Sequence, residues 1–362
     1  MPTSRPLQSP LSAPPQPSRL EATLTRNWLR RGALACALWP LSLLFGALSA
    51  ARAALFRAGV LKSARLPVPV VVVGNIFIGG TGKTPLTIWL VQALRERGLR
   101  PGVISRGHGS RDRSPRPVTP QSTPGEVGDE PLLIAQHGRC PVVVGRDRAA
   151  AGSALLAAYP DVDVLIADDG LQHYALQRDV EIVLFDGRGV GNGWLLPAGP
   201  LREGPRRRRD FTVVNTPLLT ADLRAALAGP GGAAFQMQLL GEFAERLAER
   251  AERMPLALLA GGGRRIVAAA GIGNPGRFFS MLKSAGVQCA ELPLPDHHDF
   301  LDRPFADVDA DIILITEKDA VKCAQIEYLK DDPRLWVVPV TARIDAALAQ
   351  QIVEKCRGYS TA

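Results

Sequence analysis

Six residues, Gly79-Gly80-Thr81-Gly82-Lys83-Thr84, constrain this chain most, because of what stands on either side of them. Upstream, residues 68–73 are a valine-rich run of the kind that forms a strand buried on both faces. Downstream, Leu86, Leu90 and Leu94 recur at helical spacing, and Gly98 supplies a stop signal. A glycine-rich loop between a buried strand and a helix lets backbone N–H groups converge on phosphate oxygens at the positive end of the helix. The expected nucleotide site is therefore Gly79, Gly80, Thr81, Gly82, Lys83 and Thr84, with Lys83 across the β- and γ-phosphates and the Thr84 hydroxyl on Mg2+. The spacing departs from G-x-x-x-x-G-K-[ST]: Phe77 holds the first glycine position, and Gly74 lies three residues earlier, lengthening the loop.

A second element completes the nucleotide expectation. Residues 164–169, Val-Leu-Ile-Ala-Asp-Asp, read as an apolar strand ending in carboxylates, where Asp168 and Asp169 would hold the metal ion. No N-K-x-D segment follows, and Thr316-Glu317-Lys318-Asp319 does not fit one, so ATP is expected rather than GTP.

Further candidate strands at 102–105, 141–144, 181–185 and 211–214 alternate with helical segments, as in a parallel sheet covered by helices. A second alternation follows residue 255, with strands at 266–270, 311–315 and 335–338, a helix from Pro275 and a last helix from Ile344. The expected fold class is α/β: a P-loop NTPase-like parallel-sheet domain at 67–228, a linker at 229–262 and a smaller α/β domain at 263–362.

The N-terminal region reads differently. Residues 1–20 are rich in Pro and Ser, and 1–25 are expected to be a disordered tail. Within 26–66, residues 32–51 carry no charge and are flanked by Arg30, Arg31, Arg52, Arg57, Lys62 and Arg65. The stretch is long enough to span a bilayer. A spanning helix would set one arginine cluster on the wrong side, and a cleaved signal peptide would need a shorter charged region. An interfacial helix keeps both basic flanks on an anionic cytoplasmic face and tolerates Pro40 and Gly46, so this reading is preferred. Basic residues outnumber acidic ones, 43 to 35, and only seven of the 43 are lysines. That arginine excess fits either a coding bias or a surface facing phosphates or anionic lipid. Five scattered cysteines without a CxxC pair argue against a disulfide framework or a cysteine zinc site and suggest a reducing compartment. The run Arg206–Arg209 lacks interleaved aromatics, so nucleic acid is not expected as a partner; a solvated or lipid-facing patch is.

Taken in order, Gly74-Asn75, Gly79 to Pro85, Ser105-Arg106-Gly107, Val127-Gly128-Asp129-Glu130-Pro131, Asp168 to His173, Pro197 to Glu203 and Thr316 to Lys322 resemble the tetraacyldisaccharide 4'-kinase (lipid A 4'-kinase) family. The resemblance runs from about residue 28 to the C-terminus, and the lengthened glycine spacing is also that family's. Two departures are His108, where the family usually has Tyr, and the additional Pro/Ser tail. The resemblance implies ATP-dependent phosphorylation of the 4'-hydroxyl of a tetraacylated glucosamine disaccharide 1-phosphate, giving lipid IVA. It also implies a two-lobed protein on the cytoplasmic face of the inner membrane.

Site roles follow from the same resemblance. Asp129 becomes the candidate base, with Lys83 as the other catalytic residue of the first domain. His297, in Asp296-His297-His298, becomes its imidazole partner, with His298 as the alternative. Glu130, Arg148, Gln172, His173 and Arg202 are expected to bind substrate or phosphate, and Arg146 shares the possibility. A membrane-bound P-loop ATPase switch is the rival reading; it needs neither Asp129 nor His297. A non-catalytic adaptor does not explain an intact Lys83, Thr84 and Asp168.

Overall fold

The computed structural model describes residues 27–107, 114–227, 229, 233–261 and 263–358. The expected tail at 1–25 lies outside them. The described residues form two compact α/β units, 27–240 with 340–358, and 241–339.

The first unit is a nine-stranded sheet. Its strands are β1 (Val70–Gly74), β2 (Pro101–Ser105), β3 (Arg116–Pro117), β4 (Val142–Val144), β5 (Val164–Asp168), β6 (Val180–Asp186), β7 (Phe211–Asn215), β8 (Ala233–Leu240) and a late strand, Thr341–Ile344. Their order is Thr341–Ile344, β8, β7, β6, β1, β5, β2, β4, β3, with parallel pairing except at the two edges. All five residues of β1 are buried, because apolar layers cover both faces. On one face Leu86, Leu90 and Leu94 of the helix Lys83–Glu96 pack with Val71, Val73 and Ile166; on the other, Val70 and Val72 pack with Leu155 and Phe185. Each such burial contributes about 1.5–3 kcal/mol. Parallel pairing has a functional consequence: Val73 is in register with Asp168, so the loop after β1 and the carboxylates after β5 share one edge of the sheet.

Two expected boundaries move. The segment 229–262 is not a linker: β8 belongs to the first sheet, where it carries Met237 into the core, and the following strands belong to the second unit. The last helix starts at Ala347 rather than Ile344. Residues Thr341–Ile344 alternate, with Ala342 and Ile344 against the core, and pair antiparallel with β8. A period of two overrides the helical reading there.

The second unit contains β9 (Phe243–Arg246), β10 (Arg253–Pro255), β11 (Ile266–Ala270), β12 (Ala290–Pro293), β13 (Ile312–Thr316) and β14 (Leu335–Val338). They form a sheet in the order β10-β9-β14-β13-β11-β12, parallel from β14 to β12.

The uncharged N-terminal stretch forms the helix Ala33–Arg57, which is apolar and long enough to cross a membrane. One side is fastened to the first unit. Ala35 is buried, the Ser42 hydroxyl donates to the Leu195 carbonyl, and Ala198 N–H donates to the Ser42 hydroxyl at 3.2 Å. Trp39 lies 6.2 Å from Trp194, and the Trp28 indole donates to the Pro197 carbonyl at 3.0 Å. On the other side Leu41, Leu43, Leu44 and Leu48 are more than half exposed.

Candidate active site

The phosphate loop takes its shape from glycine and from Asn75. Gly79 and Gly82 have φ of 95° and 100°, a region that residues with a Cβ rarely adopt. The Asn75 amide donates to the carbonyls of Phe77 (2.6 Å) and Gly79 (3.1 Å), and its oxygen accepts from Lys83 Nζ at 3.3 Å. Asn75 thus holds both the loop and the lysine. Asn215, at the end of β7, donates to the Thr81 carbonyl at 2.9 Å.

Phe77 needs no glycine because the chain turns into the core there. It is buried, bridges Leu201, and carries the Arg188 guanidinium 4.2 Å above its ring. Gly74 is not a phosphate-facing glycine; it ends β1, where a Cβ would stand 2.7 Å from Leu171 Cγ. Its place in the motif is a packing requirement of the loop after β5.

The carboxylates gather beside the lysine. Asp168 is buried and accepts from Thr87 Oγ1 (3.2 Å) and Ser105 Oγ (3.4 Å). Burial, with Glu130 and Asp169 nearby, pushes its carboxyl up to about 7, against the pull of Lys83 and Thr87. Asp169 has φ of 51°, a strained conformation for a side chain with a Cβ, and strain of this kind is common at functional sites. Its carboxylate lies 3.6 Å from Lys83 Nζ and 3.7 Å from Arg202 Nη1, joining two cations that the sequence places far apart. Thr84 sits half-buried in the first turn of the helix Lys83–Glu96.

Asp129 is buried at the start of the helix Asp129–Gly138, and its Oδ1 accepts from Glu130 N–H at 3.0 Å. Asp147 caps the helix Arg148–Ala158, and Arg148 at its start is buried and donates to the carbonyls of Gly145 (2.8 Å) and Asp168 (3.5 Å). Arg148 is a strut for the Asp168 main chain rather than an exposed phosphate grip; Arg146 is exposed. Gln172 donates to Glu203 at 2.9 Å, and Tyr174 donates to the other Glu203 oxygen at 2.7 Å. His173 is half-buried, with its imidazole held below the usual range first by burial and then by Arg148. The arginine run divides. Arg206 and Arg208 are exposed, Arg207 pairs with Glu181 and Glu203, and Arg209 is buried on Thr212, Pro205 and Leu227. The patch expected from the run is therefore half internal, because two of its members satisfy buried acceptors.

The candidate histidine lies in the second unit, on the loop after β12. His297 is exposed with φ of 60°, and its Nε2 lies 3.5 Å from Lys318 Nζ. His298 is buried: Nδ1 accepts from Phe300 N–H at 3.0 Å, and Nε2 faces Asp302 at 3.3 Å. Both nitrogens of His298 are thus engaged within its own loop, whereas the His297 ring is exposed.

Sequence reasoning missed Asn75, Thr87, Ser105, Asn215 and Glu203 as parts of the site. Asn75, Ser105 and Glu203 stand within the motifs quoted above, though with no role assigned, and Ser105 and Asn215 close parallel strands at the edge where ligands bind.

Residues 34–357 match the family model described as tetraacyldisaccharide-1-P 4'-kinase. The chain is 62% identical to a tetraacyldisaccharide 4'-kinase of Janthinobacterium sp. (strain Marseille), covering 96% of this chain and 99% of the relative. It is 59% identical to one from Herminiimonas arsenicoxydans, over 96% and 99%. Among solved structures, LpxK from Aquifex aeolicus in complex with ATP superposes with a TM-score of 0.72 at 29% identity, covering 89% of this chain and 99% of that one.

Proposed function

The chain belongs to the tetraacyldisaccharide-1-P 4'-kinase family, and from that premise we propose a mechanism in which its own side chains move one phosphoryl group from ATP to a lipid hydroxyl. The protein is a kinase, and ATP is its phosphoryl donor. Its acceptor is the 4'-hydroxyl of tetraacyldisaccharide 1-phosphate. The 4'-oxygen bonds to the γ-phosphorus as the bond from that phosphorus to the β,γ-bridging oxygen breaks, and ADP leaves.

The observation that carries the reading is the convergence of Lys83, Asp169 and Arg202. Phosphoryl transfer needs positioning and charge stabilisation more than covalent help. In this reading Gly79, Gly80, Thr81 and Gly82 cradle the phosphates, and Lys83 bridges the β- and γ-groups. Arg202 takes charge on the transferring group or the acceptor's phosphate. Asp129, buried at a helix start beside Glu130, receives the proton of the 4'-hydroxyl. His297 is the imidazole that the family resemblance assigns to this reaction. Glu130, Gln172 and His173 line the acceptor side, Gln172 being held by Glu203. Arg148 acts through Asp168, not on substrate directly.

The donor set fits Mg2+. Thr84, Asp168 and Asp169 offer only oxygen, the donor a hard divalent cation prefers, and the Asp168 carboxyl, raised first by burial and then by Glu130 and Asp169, stands in a cluster of acids that such a cation would relieve. When bound, the ion would supply positive charge that neutralises the phosphates.

The helix Ala33–Arg57 supports an interfacial location on the cytoplasmic face of the inner membrane. Ser42 and Gly46, near its middle, lie against the loop carrying Leu195. A helix pinned along its middle to a loop of the protein cannot surround itself with lipid, whereas its exposed leucines can enter one leaflet. Incubation with ATP, Mg2+ and tetraacyldisaccharide 1-phosphate should yield a product heavier by one phosphate. Release of inorganic phosphate without that product would favour the ATPase switch.

A further inference from the structure

The segment Thr316-Glu317-Lys318-Asp319-Ala320-Val321-Lys322 belongs to no step described above, yet it is built with care. It runs from the end of β13 into the helix Glu317–Cys323. Thr316 Oγ1 accepts from Asp319 N–H at 3.2 Å, and this alone would cap the helix. Asp319 does more than a cap requires. It is fully buried, and its Oδ2 accepts from Thr316 Oγ1 (2.6 Å) and from Gly271 N–H (3.0 Å), beyond the neighbouring strand β11. The Gly271 carbonyl in turn accepts from His297 N–H at 3.2 Å. Glycine is required at 271, since a Cβ there would stand 2.9 Å from Asp319 Oδ1 and 3.1 Å from His298 Cβ.

Two lysines hold the same loop from the other side. Lys322 Nζ donates to the His298 carbonyl at 2.8 Å. Lys318 Nζ lies 3.5 Å from His297 Nε2 and 3.8 Å from Asp296 Oδ1. Lys318 and Lys322 thus grip atoms of Asp296-His297-His298 directly, and Asp319 reaches the same loop through Gly271. The grip is needed because His297 has φ of 60°, which persists only where its surroundings over-determine it. Burying a carboxylate is costly, so a fold needing only a helix start would not place one here.

We propose that residues 316–322 are a positioning device for His297, with Asp319 and Lys322 as positioning residues for phosphoryl transfer. This rests on the reading of His297 as the partner of the base. Asp319 sets the main chain through Gly271, Lys322 fixes the following carbonyl, and Lys318 orients the imidazole.

The test is a double-mutant cycle in the full-length protein, measuring kcat with lipid acceptor and KM for ATP. Lys322→Met should lower kcat tenfold or more and leave KM for ATP within twofold. Lys322→Arg, which keeps a donor at that reach, should recover most of the loss. In a His297→Ala background Lys322→Met should change kcat less than twofold, because nothing remains to be placed. Asp319→Asn should behave in the same way; if it fails to fold, the Lys322 variants carry the decision. Multiplicative losses for Lys322→Met and His297→Ala would overturn the proposal and leave His297 in its role. Wild-type kcat in His297→Ala alone would remove both readings.

Discussion

At the scale of single residues, the departures from the simple phosphate-loop pattern have physical explanations. Asn75 takes over the task of shaping the loop, which frees position 77 for an aromatic that packs under Arg188. Lys83, held by Asn75 and Asp169, is the preorganised cation of the proposed mechanism. Lys83→Ala should leave the thermal midpoint unchanged while kcat falls by the equivalent of about 3–4 kcal/mol, the cost of losing one preorganised donor. Near wild-type turnover in a folded variant would remove Lys83 from its role. Gly74 gives a second prediction at this scale. Gly74→Ala forces a methyl against Leu171 and should destabilise by about 1–3 kcal/mol, read as a lower midpoint on denaturant unfolding. Adding Leu171→Ala should restore part of that loss. If it deepens the loss additively, the two side chains are not in competition for the same space.

At the scale of elements, the helix Ala33–Arg57 shows how one segment serves two environments. Its small residues, Ala35, Ser42 and Gly46, meet protein, and its leucines meet solvent. Replacing Leu44 and Leu48 with Glu should abolish sedimentation with anionic vesicles without lowering thermal stability, because both side chains are exposed. Loss of stability of the same size as loss of binding would place those leucines in the fold instead. Cys36, exposed on this helix, offers a second readout, since the remaining cysteines are half-buried or buried. Maleimide should label it readily in solution and slowly on vesicles. The difference should shrink as salt screens the attraction of Arg30, Arg31, Arg52 and Arg57 for anionic lipid.

At the scale of the whole molecule, the proposed base and its imidazole partner come from different compact units, since Asp129 lies in 27–240 and His297 in 241–339. Asp129→Asn and His297→Ala should each reduce kcat strongly and spare ATP affinity. Together they should cost far less than the product of the single losses, because residues acting as a unit are non-additive. His298→Ala should act through stability, since its nitrogens serve Phe300 and Asp302. Steady-state kinetics and unfolding curves on the same four proteins separate these outcomes, and multiplicative losses at 129 and 297 would divorce the two residues.

What the sequence determined by itself were the features written in contiguous residues. The buried strand, the glycine loop and the helix of the phosphate site are local, and so is the apolar strand ending at Asp168-Asp169; periodicity and turn chemistry specify such elements without distant partners. The apolar length of the N-terminal helix was legible for the same reason. The tertiary structure alone decided what depends on long-range pairing. It drew β8 and Thr341–Ile344 into the first sheet, because a strand's edge partner is chosen by burial across the whole sheet. It turned Arg148, Arg207 and Arg209 inward, because only packing reveals which carbonyls and carboxylates need a donor. It distinguished His297 from His298 by burying one ring and exposing its neighbour, a difference of environment that two identical adjacent letters cannot encode.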